Sequence, residues 1–427
     1  LTYTFDNARS LLAVLAIIVI CWLLSENKRR FPFLLTVGAL TLQAGLVLVM
    51  FALPNSEAVL RGVNAAVDGL ASATDQGTTF VFGYLGGSAE QQPFAIEREG
   101  NLFIFGFRVL PLILVISALS ALLWHWRILK WITQGFGFIF ERTMGLSGPS
   151  ALAVAANIFM GMVESPIVIR AYLDRLTRAE LFLMMVVGLA TVAGSTMVAY
   201  AIMLQDVLPN AAGHVLAASI ISAPAGILLA RIMIPESPGA MSQEAVPVLS
   251  YESSMDAVTN GVRDGVMVAV NVAAFLIVFV AFVWIVNNLL ALAPEFGGEP
   301  LTLQRIFGYV FAPAAYAIGL PWSESQAGGA ILGVKLFLTE FLAFADLGAA
   351  PAEALSERSR MILTYAICGF ANVASVGIMT GGMTVLMPAR KTEIYALAWK
   401  SLLPGFLATL MTAAVVAALP MHLFGAR

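Results

Sequence analysis

Eight apolar runs constrain this chain more than any other feature: residues 11–24, 33–53, 102–124, 181–204, 215–234, 266–292, 361–386 and 396–419. A hydrocarbon core ~30 Å thick takes roughly 20 helical residues to cross, and only helices or closed barrels satisfy their backbone within it. The sequence is therefore read as an all-α polytopic membrane protein with about eight transmembrane helices. The 427 residues are 59% hydrophobic and 11% charged, against roughly 45–50% apolar and about 25% charged in an ordinary soluble domain, which leaves no room for a sizeable water-soluble domain. The first run lacks a basic leader and a small-residue cleavage site, so it reads as a spanning helix and not a signal peptide.

Several function classes are disfavoured by absence. Net charge is −3 with no long block of one sign, which argues against nucleic acid as a partner. Cys21 and Cys368 lie in apolar runs and form no CxxC pair, and His125, His214 and His422 are scattered. There is no HExxH, GxSxG or GxxxxGK[ST] segment. Metalloprotease, serine hydrolase and ATP-driven pump are unsupported, an enzyme is not expected, and no organic cofactor is implied.

Basic residues set the orientation. Lys28, Arg29, Arg30, Arg170, Arg175, Arg178, Arg231, Arg390 and Lys391 flank the runs at alternate ends, whereas 206–214 and 293–300 contain no Lys or Arg. The basic set should face the cytoplasm, placing both termini outside the inner membrane. Between 55 and 70, Val59, Leu60, Val63, Val67 and Leu70 keep helical spacing with Arg61, Asn64 and Asp68 facing away. This is an interfacial helix or a short extramembrane one. The Ser, Glu and Pro-rich stretch 235–264 reads as a loop.

Two stretches break the pattern of continuous spans. In ALAVAANIFMGMVESPIVIRAY, residues 151–172, Pro166 ends any continuous helix, and Ser165 with Pro166 forms a helix start. Each arm has about ten residues and reaches about 15 Å, half the core. Two such arms make a re-entrant hairpin whose tip, 158–165, carries Glu164. Unpaired backbone at that depth is tolerated where it lines a cavity or binds something. A second break lies within 311–341, with Gly319, Pro321, Ser323 and Glu324 as turn and helix-start residues. Downstream of each come similar segments, GLATVA at 188–193 and GFANVA at 369–374, following the capping residues Thr177 (a TxxE box with Glu180) and Ser356. Opposite orientation of the two hairpins makes the repeat inverted, a feature of secondary transporters. Four units are expected: 1–145, scaffold helices and the interfacial helix; 146–234, first hairpin and following helices; 235–300, cytoplasmic loop and long scaffold helix; 301–427, second hairpin, unwound helix and last helix.

The segments ANIFMGMVESPIVIRAYL, GYVFAPAAYAIGLPWSESQAGGAILGVKLFLTEF and ICGFANVASVGIMTGG resemble the signature segments of the concentrative nucleoside transporters, and the likeness runs from SENKRR after the first helix to the end. The resemblance implies a homotrimer in the lipid bilayer, each protomer importing a nucleoside between two hairpins and two unwound helices by symport with a cation. It implies that Glu164, Glu340, Asn372 and Ser375 form the polar substrate set, the last three toward ribose, with Phe370 beside the base. It assigns the Asn157 side chain, the Met160 carbonyl, the Thr191 hydroxyl and the Val192 carbonyl to a sodium ion. An all-oxygen set suits such a hard cation.

One departure bears on specificity. Many members read GQTEAP where this chain reads GMVESP, so Met162 and Val163 stand where Gln and Thr would meet the base, and Thr339 replaces a frequent Asn beside Glu340. Base selectivity is not carried over. Proton coupling, or symport of another small hydroxylated solute, remains open beside sodium-coupled nucleoside uptake, and an intramembrane enzyme or channel is the remotest reading. For Glu164 and Glu340 the competing role is an ion pair with Arg170 and Lys335. For Asn372 and Ser375 it is interhelical hydrogen bonding, for Asn157 a helix cap, and for Trp322 and Phe370 packing.

Overall fold

The computed structural model describes residues 5–51, 56–86, 104–236, 249–295 and 298–420. His422 and residues 237–248 of the polar stretch lie outside these. Spanning helices α1 (Phe5–Leu23), α2 (Phe33–Phe51), α4 (Phe105–His125), α10 (Ala211–Met233), α11 (Ser254–Leu290) and α17 (Lys391–Ala417) are long and apolar enough to cross a bilayer. The run 181–204 folds as α8 (Arg178–Ala190) and α9 (Gly194–Leu204), and the run 361–386 as α15 (Glu357–Ile367) and α16 (Val373–Leu386). Both are crossings broken in the middle.

Each broken crossing follows a helical hairpin. The first is α6 (Gly148–Asn157), a tip, then the short α7 (Ser165–Val168) and a 3-10 turn Arg170–Arg175. The second is α13 (Trp322–Phe337) and α14 (Glu340–Ala349), with Leu338 and Thr339 at its tip. The expected second turn is thus corrected. Gly319 takes φ +125°, a left-handed conformation open to glycine, and turns α12 (Leu303–Ala317) into α13. Its carbonyl and that of Leu320 accept from Arg358 (2.6 Å) and Arg9 (2.9 Å), and Asn7 donates to Ala417 O (2.9 Å). The segment 319–323 therefore belongs to the end of the bundle where α1 begins and α17 finishes. Sequence placed the break at Gly and Pro, but a tight interhelix turn uses those residues equally well.

The opposite end gathers the basic set. Glu26, after α1, accepts from Arg178 (2.5 Å) and Lys400 (2.7 Å), and Arg390 donates to Leu173 O (3.2 Å) and Leu176 O (2.8 Å) at the base of the first hairpin. The two hairpin bases therefore lie at opposite ends of the molecule, as an inverted repeat requires.

The interior consists of α8, α10, α15 and the part of α17 from Pro404 onward, nearly every residue of which is buried. At their centre Ser222 donates to Thr412 Oγ1 at 3.0 Å. Outside them, α4 and α11 pack closely: a Cβ on Gly261 or Gly265 would fall 2.6 Å from Ala118 Cα or 2.7 Å from Leu114 Cα. The helix α11 begins at Ser254, so part of the stretch read as loop is helical, with the Ser253 hydroxyl accepting from Asp256 N. The amphipathic segment between α2 and α4 is longer than its periodicity indicated, forming α3 (Ser56–Phe82). Asn64 does not face away: it donates to Asn210 Oδ1 and accepts from Ala212 N. A further amphipathic helix, α5 (Ile128–Met144), precedes the first hairpin as α12 precedes the second.

Candidate functional site

The hairpin tips and helix breaks converge, and backbone groups that one break leaves unpaired find partners in another. Phe370 N, in the second break, donates to Thr191 O in the first at 3.2 Å, and Gly194 N donates to Phe159 O on the first tip at 3.1 Å. Close approach is built into the sequence at Gly188 and Gly369. A Cβ on Gly188 would sit 2.9 Å from Met162 Cβ, and one on Gly369 would sit 2.8 Å from Ala190 O.

Around this crossing lies a cavity of about 510 Å³, in the range of ~300–1,000 Å³ usual for small-molecule sites. All seven residues expected to meet substrate line it: Met162, Val163, Glu164, Glu340, Phe370, Asn372 and Ser375. Glu340 opens α14, where Thr339 caps the helix by accepting from Leu342 N. Its carboxylate accepts from Tyr200 OH (2.9 Å) and Asn372 Nδ2 (2.5 Å). Asn372 in turn caps α16, its Oδ1 accepting from Ser375 N at 2.8 Å. Four groups from three helices are locked into one orientation by this chain of bonds. Glu164 is held differently, folded against Gly161 so closely that a Cβ there would overlap its carboxylate.

The ion-pair alternative is not what forms. Arg170 is exposed, and among the described residues neither Glu164 nor Glu340 joins a salt bridge. Lys335 donates to Ala366 O (2.8 Å) and Thr409 Oγ1 (2.5 Å) instead. Trp322 is 64% exposed, lies edge-on to Tyr316 and does not reach the cavity.

The four residues expected to hold sodium cluster beside the first tip. Asn157 ends α6, and Thr191, which caps the C-terminus of α8, directs its hydroxyl at Val187 O (2.9 Å) and Asn157 O (3.3 Å). Val192 N and O meet Ser219 Oγ of α10 at 3.3 and 3.4 Å. Met160 lies on the tip between them. The expected capping role of Ser165 is corrected: it is the first residue of α7, and its hydroxyl donates to Asn157 Oδ1 at 2.7 Å. Asn157 Nδ2 is buried without a hydrogen-bond partner. Among the described residues no group of three or more His, Cys, Asp or Glu is placed to hold a metal ion.

Sequence reasoning missed Tyr200, Asn271 and Ser219. Tyr200 orients Glu340, Asn271 brings the outer helix α11 to the cavity wall, and Ser219 ties α10 to the first break. The available signal was a lone polar group within an apolar span, which in a membrane must find a partner.

An all-α membrane protein with two opposed hairpins around a carboxylate-lined cavity has the build of a transporter. Family models described as Na+ dependent nucleoside transporter N-terminus, nucleoside recognition, and Na+ dependent nucleoside transporter C-terminus match residues 12–85, 106–206 and 214–417. The chain is 35% identical to an uncharacterized transporter, YutK, of Bacillus subtilis over 95% of this chain and 97% of that one. It is 32% identical to the nucleoside permease NupC of Helicobacter pylori, covering 96% and 97%. Human solute carrier family 28 member 3 is 32% identical over 80% of this chain and 50% of that protein. The structure of CNTnw in an inward-facing substrate-bound state superposes with TM-score 0.90 at 31% identity, over 99% of this chain and 100% of that one. The chain belongs to the concentrative nucleoside transporter family and is a transporter, not an enzyme.

Proposed function

We propose that this protein imports nucleosides by sodium symport, with alternating access around the mid-membrane cavity. The observation that carries the reading is the Tyr200–Glu340–Asn372–Ser375 chain of hydrogen bonds beside the cavity. A fixed carboxylate next to amide and hydroxyl groups suits the vicinal hydroxyls of a ribose. Phe370, in the same wall, offers a face to a base. Met162 and Val163 offer the base no hydrogen bond, so it is selected by shape and stacking.

Sodium is supported by the Asn157 amide. A half-turn of that amide keeps a hydrogen bond to Ser165, with Nδ2 now donating, and presents its oxygen at the unpartnered position. A cation there, held with the Met160 and Val192 carbonyls and the Thr191 hydroxyl, orders the first tip and hence Glu164. Substrate and sodium then strengthen each other's binding. The re-entrant hairpins, the cytoplasmic basic face, the outward termini in the inner membrane and a homotrimer complete the reading.

The test is uridine uptake and binding in proteoliposomes, in sodium against choline at fixed pH, for the wild type, Asn157→Ala and Thr191→Ala. Binding that rises with sodium and is lost in both variants is expected. Equal binding in both salts, with uptake following an imposed pH gradient, returns Asn157 and Thr191 to structure and assigns the proton.

A further inference from the structure

Lys335 is wholly buried, its side chain among the largest that the fold encloses completely. Among the described residues its ammonium has no carboxylate partner within ion-pairing distance. It lies on the last turns of α13, the first arm of the second hairpin, and donates to Ala366 O and Thr409 Oγ1. The Thr409 hydrogen is committed to Phe406 O at 2.8 Å, so that hydroxyl only accepts from Lys335. The third neighbour is the face of Phe406, with Nζ 5.1 Å from the ring centroid. A carbonyl, a hydroxyl oxygen and a ring face all favour positive charge. Ala366 also stands in the last turn of α15, the negative end of that helix.

The same three kinds of element meet in the first repeat. There, the end of the first hairpin arm (Asn157) meets the end of the helix before the break (Thr191), and the long helix that follows supplies a hydroxyl (Ser219 of α10) to Val192. In the second repeat the arm supplies Lys335, the helix before the break supplies Ala366, and the long helix α17 supplies Thr409.

We infer that the Lys335 ammonium is a tethered cation: it fills, in the second repeat, the place that the coupling sodium takes in the first. It positions the second break, which carries Phe370, Asn372 and Ser375, against the hairpin that carries Glu340. Because this group is tethered, one mobile cation accompanies each substrate. The comparison of the two places rests on the sodium reading proposed above; the ammonium site itself does not.

The experiment measures uridine binding to the full-length protein in nanodiscs against sodium concentration, with and without ethylammonium. Wild type should show first-order dependence on sodium. Lys335→Ala should bind uridine about tenfold more weakly, and ethylammonium, or sodium raised until its dependence becomes second order, should restore binding. Wild-type affinity in Lys335→Ala, a loss that neither cation relieves, or second-order sodium dependence in the wild type overturns the inference. If Lys335→Ala does not fold, Thr409→Val decides. Weaker binding with Thr409→Ser unaffected is expected, and unchanged binding in Thr409→Val overturns it. Sodium-independent wild-type binding together with ethylammonium rescue of Lys335→Ala would sink the sodium reading and leave the ammonium site standing.

Discussion

The carboxylate of Glu340 has two donors fixed on it, Tyr200 OH and Asn372 Nδ2. Preorganisation of that kind lowers the cost of binding, since the site need not order itself around the ligand. A hydrogen bond to a charged group contributes about 1.5–3 kcal/mol, one to two decades in affinity. Tyr200→Phe should therefore weaken nucleoside binding by roughly tenfold, and Glu340→Gln should abolish uptake with folding retained; calorimetry and transport in liposomes measure both. Wild-type uptake by Glu340→Gln would remove Glu340 from the site. On the opposite tip, Met162→Gln combined with Val163→Thr should reorder the preference among uridine, cytidine and adenosine, because a buried polar partner distinguishes ligands by about 1–3 kcal/mol. An unchanged ranking in competition assays would mean that the tip does not touch the base.

Among the elements, the two broken crossings carry the architecture. A continuous helix in either place would satisfy its own backbone and have nothing to offer a ligand, whereas the breaks satisfy one another through Phe370 N and Thr191 O. Gly369 permits that contact, since a methyl there meets Ala190 O at 2.8 Å and Thr409 Cγ2 at 2.6 Å. Gly369→Ala is expected to cost about 1–3 kcal/mol through overpacking. It should lower the melting temperature and weaken substrate binding together, read by thermal unfolding with and without uridine. Loss of stability with intact binding would show that the breaks need not touch. The capping box of Thr177 and Glu180, legible from spacing, forms as expected because it depends only on residues within one turn. The helix start at Ser165 was equally plausible locally, yet its hydroxyl turns to Asn157, a partner supplied by the other arm of the hairpin.

At the scale of the molecule, opposed ends hold the two hairpin bases. Arg390 serves one and Arg358 the other, each donating to backbone carbonyls. Cysteine at Arg29 should be labelled from the cytoplasm and cysteine at Glu357 from outside, and the reverse pattern would invert the proposed topology. On the basic face, Glu26 joins the end of α1 to Arg178 and Lys400, and the hydrogen bond from Arg178 holds its carboxyl below the ordinary value of 4.5. A carboxyl depressed in the folded state stabilises fully above its unfolded pKa and loses that contribution as pH falls through the folded value. Glu26→Gln should thus lower the melting temperature slightly at neutral pH, leave it little changed in acid, and so flatten the acid limb of the profile below about pH 4.5; a parallel acid limb would show that the tether contributes nothing.

The amino-acid sequence by itself determined the crossings, because a 20-residue apolar run has no other stable place. It also carried the first hairpin, since Pro166 forbids a continuous helix there, and through the motif likeness it marked the residues that now share one cavity. The second tip was misplaced: no proline or glycine stands at Leu338–Thr339, and the chain breaks there because α14 starts afresh on the Thr339 cap. Tertiary structure alone decided which polar groups meet. Tyr200 reaches Glu340 across 140 positions and Lys335 reaches Thr409 across 74. Such partners are set by how α9 meets α14 and α13 meets α17, and local spacing, which records only the near neighbours within a turn, carries no trace of them.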